Sequence, residues 1–162
     1  MMQMFRLFLT SFVFATTCLA AGEKPNVVVF ISDDLGRFDT SIHGSKDVRT
    51  PTMDLLAAGG MTFDDAYVAS PSCCPSRFSL LTGLMPARHG AHPNHSQVKP
   101  GTKFLMPILK KMGYHIASFG KVAHGNRDFE GMDFNEPKRP EMSVEVEKYF
   151  GKTKIDGPIC LL

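Results

Sequence analysis

The stretch Ser72-Cys73-Cys74-Pro75-Ser76-Arg77 gathers the most reactive side chains of the chain. Neighbouring cysteines make poor disulfide partners, because a bridge needs separated Cα atoms and facing Cβ atoms. They also lack the two-residue gap of a zinc knuckle. Pro75 suggests a helix over 76–81, closed near Gly83. A nucleophile just before such a helix would meet free backbone N–H groups and the positive end of the helix dipole, which favours an anionic substrate. Arg77, one turn in, adds a planar donor suited to tetrahedral oxyanions. Spacing alone leaves two readings open: a buried thiol pair under a helix start, or a nucleophile. A second constellation, acidic, is Asp33-Asp34, which follows the run Val27-Val28-Val29-Phe30-Ile31-Ser32. Carboxylates at the C-terminal end of such a strand sit where open α/β sheets place ligands.

Several elements must position these groups. Residues 25–32 predict a strand buried on both faces, as in a parallel sheet. Thr50 caps an expected helix with Pro51 in its first turn, and Gly59-Gly60 ends it. Met53, Leu55, Leu56 and Ala57 would form its apolar side. Residues 61–68 read as a short strand. Pro107 falls in the first turn of a further helix that Gly113 stops, and 114–119 predicts a strand followed by Gly120-Lys121. Residues 125–142, rich in Gly, Pro, Asp and Glu, read as loop. Ile159-Cys160-Leu161-Leu162 looks like a buried strand just beginning, so the expectation is a piece of a larger domain. Alternating strands and helices imply an α/β fold with a mostly parallel sheet.

The N-terminus differs in kind. Arg6 precedes a nearly unbroken apolar run over 7–19, followed by Ala20-Ala21-Gly22. That order predicts a signal peptide over 1–21 and export to the periplasm or extracellular space, or the lysosomal route in a eukaryote. The run is too short to span a bilayer comfortably, so stable membrane insertion is not expected. Of four cysteines, Cys73, Cys74 and Cys160 would remain, an odd number with no disulfide framework. A net charge of +2 gives no case for nucleic acid. Pro93 breaks any helix that would gather His89, His92 and His95 around a metal.

The run Cys73-Cys74-Pro75-Ser76-Arg77 through Leu81-Thr82-Gly83 resembles the signature of the type I, formylglycine-dependent sulfatases of the alkaline phosphatase-like superfamily. In that register Cys73 matches the signature cysteine and Cys74 falls on its variable position. The strand ending in Asp33-Asp34, the segment 50–63, Met85-Pro86-Ala87-Arg88-His89-Gly90 and the segment 109–121 are similar to further family segments. Gly120-Lys121-Val122-Ala123-His124, with two residues between Lys and His, resembles the iduronate-2-sulfatase branch.

The resemblance implies the N-terminal part, over 22–162, of a large mixed sheet flanked by helices. It implies that Cys73 is oxidised by the formylglycine-generating enzyme to an aldehyde, whose hydrate attacks the sulfur of a sulfate ester and then expels sulfate. Asp33, Asp34 and the modified Cys73 would bind a divalent cation, calcium by expectation. Arg77 would hold the modified residue; Lys121 and His124 would bind the sulfate or assist the leaving oxygen; His89 would line the cleft. The substrate class would be a sulfated sugar or polysaccharide. The family's remaining metal and sulfate ligands come from a downstream segment, so these 162 residues alone are expected to be inactive. Two other readings stay open: a phosphonate or phosphate ester hydrolase of the same superfamily, and a non-catalytic exported remnant.

Overall fold

The computed structural model describes residues 23–123, 129–137 and 142–162. The expected signal peptide over 1–21 and His124 therefore lie outside the described residues.

Four short strands form one sheet: β1 (Val27–Val28), β2 (His115–Phe119), β3 (Phe134–Glu136) and β4 (Ile159–Leu161). Their order is β1-β4-β2-β3 and every pairing is parallel. The helices are α1 (Pro51–Gly59), α2 (Cys73–Thr82), α3 (Pro86–His89), α4 (Leu105–Lys111) and α5 (Met142–Lys152). None of the described helices is long and apolar enough to cross a membrane. The expected α/β class with a parallel sheet and flanking helices is what forms.

Period-two alternation along β2 divides the helices between the two faces of the sheet. Ile116 joins Cys160 and Leu162 in a core with Cys74, Phe78 and Leu81 of α2 and Met106 of α4. On the opposite face, His115 and Phe119 meet Tyr149 of α5, whose ring also lies 4.3 Å from that of Phe134. Parallel strands need long crossovers, and α1 to α4 all lie between β1 and β2 while α5 lies between β3 and β4.

Three expectations are corrected. The first strand is paired only over Val27–Val28, against β4 alone, and is not buried on both faces: Val28 is 66% and Phe30 75% exposed. A strand's faces are buried only by elements packed above and below the sheet, and little lies over Val28 and Phe30. Residues 61–68 form no strand, because nothing in the sheet pairs with them; Met61, Phe63, Tyr67 and Val68 are exposed. The loop expected over 125–142 contains β3, whose Phe134 pairs in register with Ala117. Two smaller differences concern α1. Its Thr50 makes no side-chain cap bond; the hydroxyl instead accepts from Ser41 N at 2.9 Å, while Thr50 N donates to Ser41 Oγ at 2.8 Å. Leu55 and Leu56, expected on the apolar side, face outward.

His89 is completely buried rather than lining a cleft. Ala91 N–H donates to its Nδ1 at 3.1 Å, so the ring proton resides on Nε2, which faces Ser79 Oγ at 3.1 Å. The ring also lies 6.1 Å from that of Phe78, and so locks α3 to α2. Burial, ahead of the opposing bond to the Pro75 carbonyl, pushes its pKa below 6.5. Between the lowered folded pKa and the ordinary 6.5 the unfolded chain binds a proton that the folded one resists. The stability His89 contributes is therefore full above pH 6.5 and falls as pH drops below it. We expect the urea midpoint to fall between neutral pH and mild acid, and His89→Gln to remove that part of the slope. His89→Ala should cost about 3 kcal/mol, as a cavity and unpaired polar groups replace the ring. An unchanged slope in His89→Gln would show that the ring is not held neutral.

Candidate functional site

The helix that carries the two cysteines begins earlier than the sequence suggests. Cys73 is its first residue, with Ser72 as the cap, and Pro75 sits inside the first turn. Pro75 is tolerated there because the first turn's N–H groups have no intrahelical acceptor. The helix closes at Gly83, whose φ of 68° only glycine adopts freely, with its N–H on Ser79 O at 2.8 Å. Cys73 is half-buried and Cys74 buried. Cys73 and Arg77 lie four residues apart and share one face of the helix.

Arg77 is 5% exposed, and both terminal nitrogens are engaged. Nη1 donates to the Lys121 carbonyl, and Nη2 donates to Asp33 Oδ1 at 3.1 Å. Lys121 Nζ reaches the same carboxylate, at 2.9 Å from Oδ1 and 2.8 Å from Oδ2. One carboxylate therefore joins three segments: the stretch that follows β1, the helix α2 and the turn after β2. Lys121 is aimed there by Gly120, whose φ of 74° and whose N–H bond to Glu136 O at 2.7 Å turn the chain at the strand end. A Cβ at position 120 would lie 2.5 Å from Met142 Sδ. The hydrogen bond from Lys121, ahead of the opposing effect of burial and joined by Arg77, holds the Asp33 carboxyl below its usual range.

Asp34 follows with a left-handed backbone, φ 58°, which a short polar side chain tolerates better than most. It is exposed at the same strand end. A groove of about 770 Å³ opens beside this cluster, with Phe30, Phe119, Val146 and Leu161 among its apolar walls and Asp33 and Lys121 at its polar end. Low-polarity walls strengthen the charge interactions at that end.

The structure thus brings together Asp33, Arg77 and Lys121, with Asp34 next in the chain and exposed, and Cys73 one helical turn before Arg77 and bonded instead to Asn94. His124 lies outside the described residues. Among those residues no group of three or more His, Cys, Asp or Glu side chains gathers around a common point. Carboxylate oxygens at a strand end are the donors a hard cation takes, but calcium needs roughly six to eight of them. Asp33 and Asp34 therefore fit in donor type as part of a cation site, and not as a complete one. Sequence reasoning missed Asn94, whose Oδ1 lies 3.3 Å from Cys73 Sγ. No spacing rule links residues so far apart; the turn preference of Asn94-His95 was the one available signal.

The three charges give a direct test. Asp33→Ala leaves the buried Arg77 guanidinium facing Lys121 without its anion, and should cost about 3 kcal/mol in urea unfolding. Lys121→Met leaves the Arg77–Asp33 pair intact and should cost about 1 kcal/mol. Because the Asp33 pKa is depressed, its contribution is present above pH 3.8 and lost as pH falls below it. Equal costs for the two variants would refute the view that Asp33 chiefly neutralises Arg77.

The model of the sulfatase family matches residues 25–151. The ulvan-active sulfatase of Formosa agariphila is 36% identical over 102 residues, covering 63% of this chain and 20% of that protein. The N-acetylgalactosamine-6-sulfatase of Rattus norvegicus is 37% identical over 124 residues, covering 67% of this chain and 24% of that protein. The chain thus spans about a fifth to a quarter of the length of these relatives. A protein solved in complex with its substrate D-glucosamine-2-N,6-O-disulfate superposes with a TM-score of 0.75 at 22% identity, over 86% of this chain and 33% of that one. The phosphonate monoester hydrolase of Agrobacterium radiobacter superposes with a TM-score of 0.70 at 16% identity, over 85% and 40%. These two likenesses establish the alkaline phosphatase-like fold alone.

Proposed function

The chain belongs to the sulfatase family, and from that premise we propose that it carries the nucleophile-bearing portion of a sulfuric ester hydrolase acting on a sulfated sugar. The supporting observation is the Asp33–Arg77–Lys121 cluster, fastened to the helix whose first residue is Cys73. Relatives named for sulfated galactosamine and for ulvan support a carbohydrate substrate. The Lys121–His124 spacing supports placing the chain near the iduronate-2-sulfatase branch. In this reading the chain is exported and meets the formylglycine-generating enzyme on the way.

Cys73, once converted to its hydrated aldehyde, would supply the nucleophile toward sulfur. A divalent cation, calcium by donor type, would be held by Asp33, Asp34 and residue 73 and would polarise the ester oxygen. The remaining donors would come from sequence beyond these 162 residues. Arg77 acts as a strap: with both terminal nitrogens on protein oxygens, it fixes α2 against the strand ends and leaves its charge beside the bound anion. Lys121 has three N–H donors, two of which Asp33 takes, so the third can donate to a sulfate oxygen. His124 would donate to the leaving oxygen or bind the sulfate with Lys121.

Mass spectrometry of the peptide containing Cys73 tests this directly, using protein from a host that has the conversion machinery. Replacing sulfur by the aldehyde oxygen makes the peptide lighter, whereas ordinary thiol oxidation makes it heavier. We expect the lighter peptide, with the change at Cys73 and none at Cys74. A peptide that keeps its full mass would sink the reading.

A further inference from the structure

The turn over 93–96 meets the start of α2 at both cysteines. Asn94 Oδ1 lies 3.3 Å from Cys73 Sγ, 3.3 Å from Cys74 N and 3.1 Å from His95 N. Two backbone N–H groups point at this atom, which identifies it as the amide oxygen, since the amide nitrogen accepts nothing. The Cys73 S–H therefore donates to it. Beside it, Cys74 Sγ donates to the Ser96 carbonyl at 3.4 Å. The Ser96 hydroxyl closes the turn on the Pro93 carbonyl at 2.6 Å. His95 keeps a left-handed backbone, φ 62°, which costs a residue with a β-carbon about 1 kcal/mol. The turn adopts that shape because the bonds around it require it.

We propose that Asn94 is the positioning residue for residue 73. Its Oδ1 holds the heteroatom of that side chain in one rotamer at the start of α2, and Cys74 fastens the turn that presents it. The inference builds on the reading of Cys73 as nucleophile. An amide oxygen accepts from S–H and from O–H alike, so the same hold persists when the thiol gives way to the hydroxyls of a hydrated aldehyde. A side chain already fixed in its reactive rotamer needs no further ordering when the substrate arrives.

The test uses the chain from a host without conversion machinery, labelled with iodoacetamide and followed by mass spectrometry at each cysteine. Asn94→Ala should speed labelling of Cys73 about fivefold, the factor that roughly 1 kcal/mol of a net hydrogen bond represents. Cys74 and Cys160 should stay slow, reporting an intact fold. Asn94→Asp keeps an oxygen in the same place and should restore slow labelling of Cys73. An unchanged Cys73 rate in Asn94→Ala overturns the proposal, as does a Cys74 rate that rises in step with it. Fast Cys73 labelling in Asn94→Asp overturns it too, even if the alanine variant fails to fold. Failure of the sulfatase reading shows separately, as a Cys73 peptide that is not lightened in a converting host, and leaves the labelling result standing.

Discussion

A buried guanidinium must face an anion, and here a single carboxylate meets that demand for Arg77 while also receiving Lys121. The geometry of the candidate site follows from this. Asp33 can reach both cations only if the stretch after β1, the face of α2 and the turn after β2 converge. The parallel order β1-β4-β2 brings the C-terminal ends of β1 and β2 to the same edge of the sheet. Without Asp33 two positive groups would be pressed together next to apolar walls, at a cost that grows as the surroundings exclude water. A cluster whose own charges nearly balance leaves a modest surplus of positive potential, which suits a site for an anion.

The core beneath it is built by α2. Cys74, Phe78 and Leu81 share a core with residues of β2 and β4, so the face of the helix next to Cys73 and Arg77 is anchored in apolar contacts. The same helix thus carries Cys73 and Arg77 in its first turns and an apolar footing along its length. Its two cysteines divide accordingly, with Cys73 half-exposed beside Asn94 and Cys74 buried against Ser96. Cys160, on β4, is buried and its thiol is pushed up by that burial. A thiol of that kind packs and does not react.

The apolar surface is unusually open for a sheet protein. Phe30, Phe63 and Leu55 stand largely in solvent. Exposed apolar surface of this extent marks places where proteins meet other surfaces. On the β3 side, by contrast, α5 closes the sheet with Tyr149 and Phe134, and Asp133 ties Lys110 to the Ile116 amide. Coverage is therefore uneven: the β2–β4 centre is buried and the β1 edge is not.

Sequence alone determined the class of the fold and the chemical cast. An apolar β-branched run ending in Asp33-Asp34, and helices punctuated by proline and glycine, need no tertiary information, because backbone preference and periodicity act within a few residues. The reactive stretch at Cys73 was legible in the same way, as residue types at fixed spacing. Tertiary structure decided the rest. Burial of β1 depends on neighbours rather than on its own composition, so its apolar pattern could not reveal that Phe30 lies exposed. His89 could be placed only once Ser79 and Ala91 surrounded it. Asp33 with Lys121, and Cys73 with Asn94, join residues far apart in sequence, and such contacts arise only when the sheet order brings their segments together. Local sequence carries local conformation, whereas a charge pair or a shared hydrogen-bond acceptor across the fold is fixed by packing.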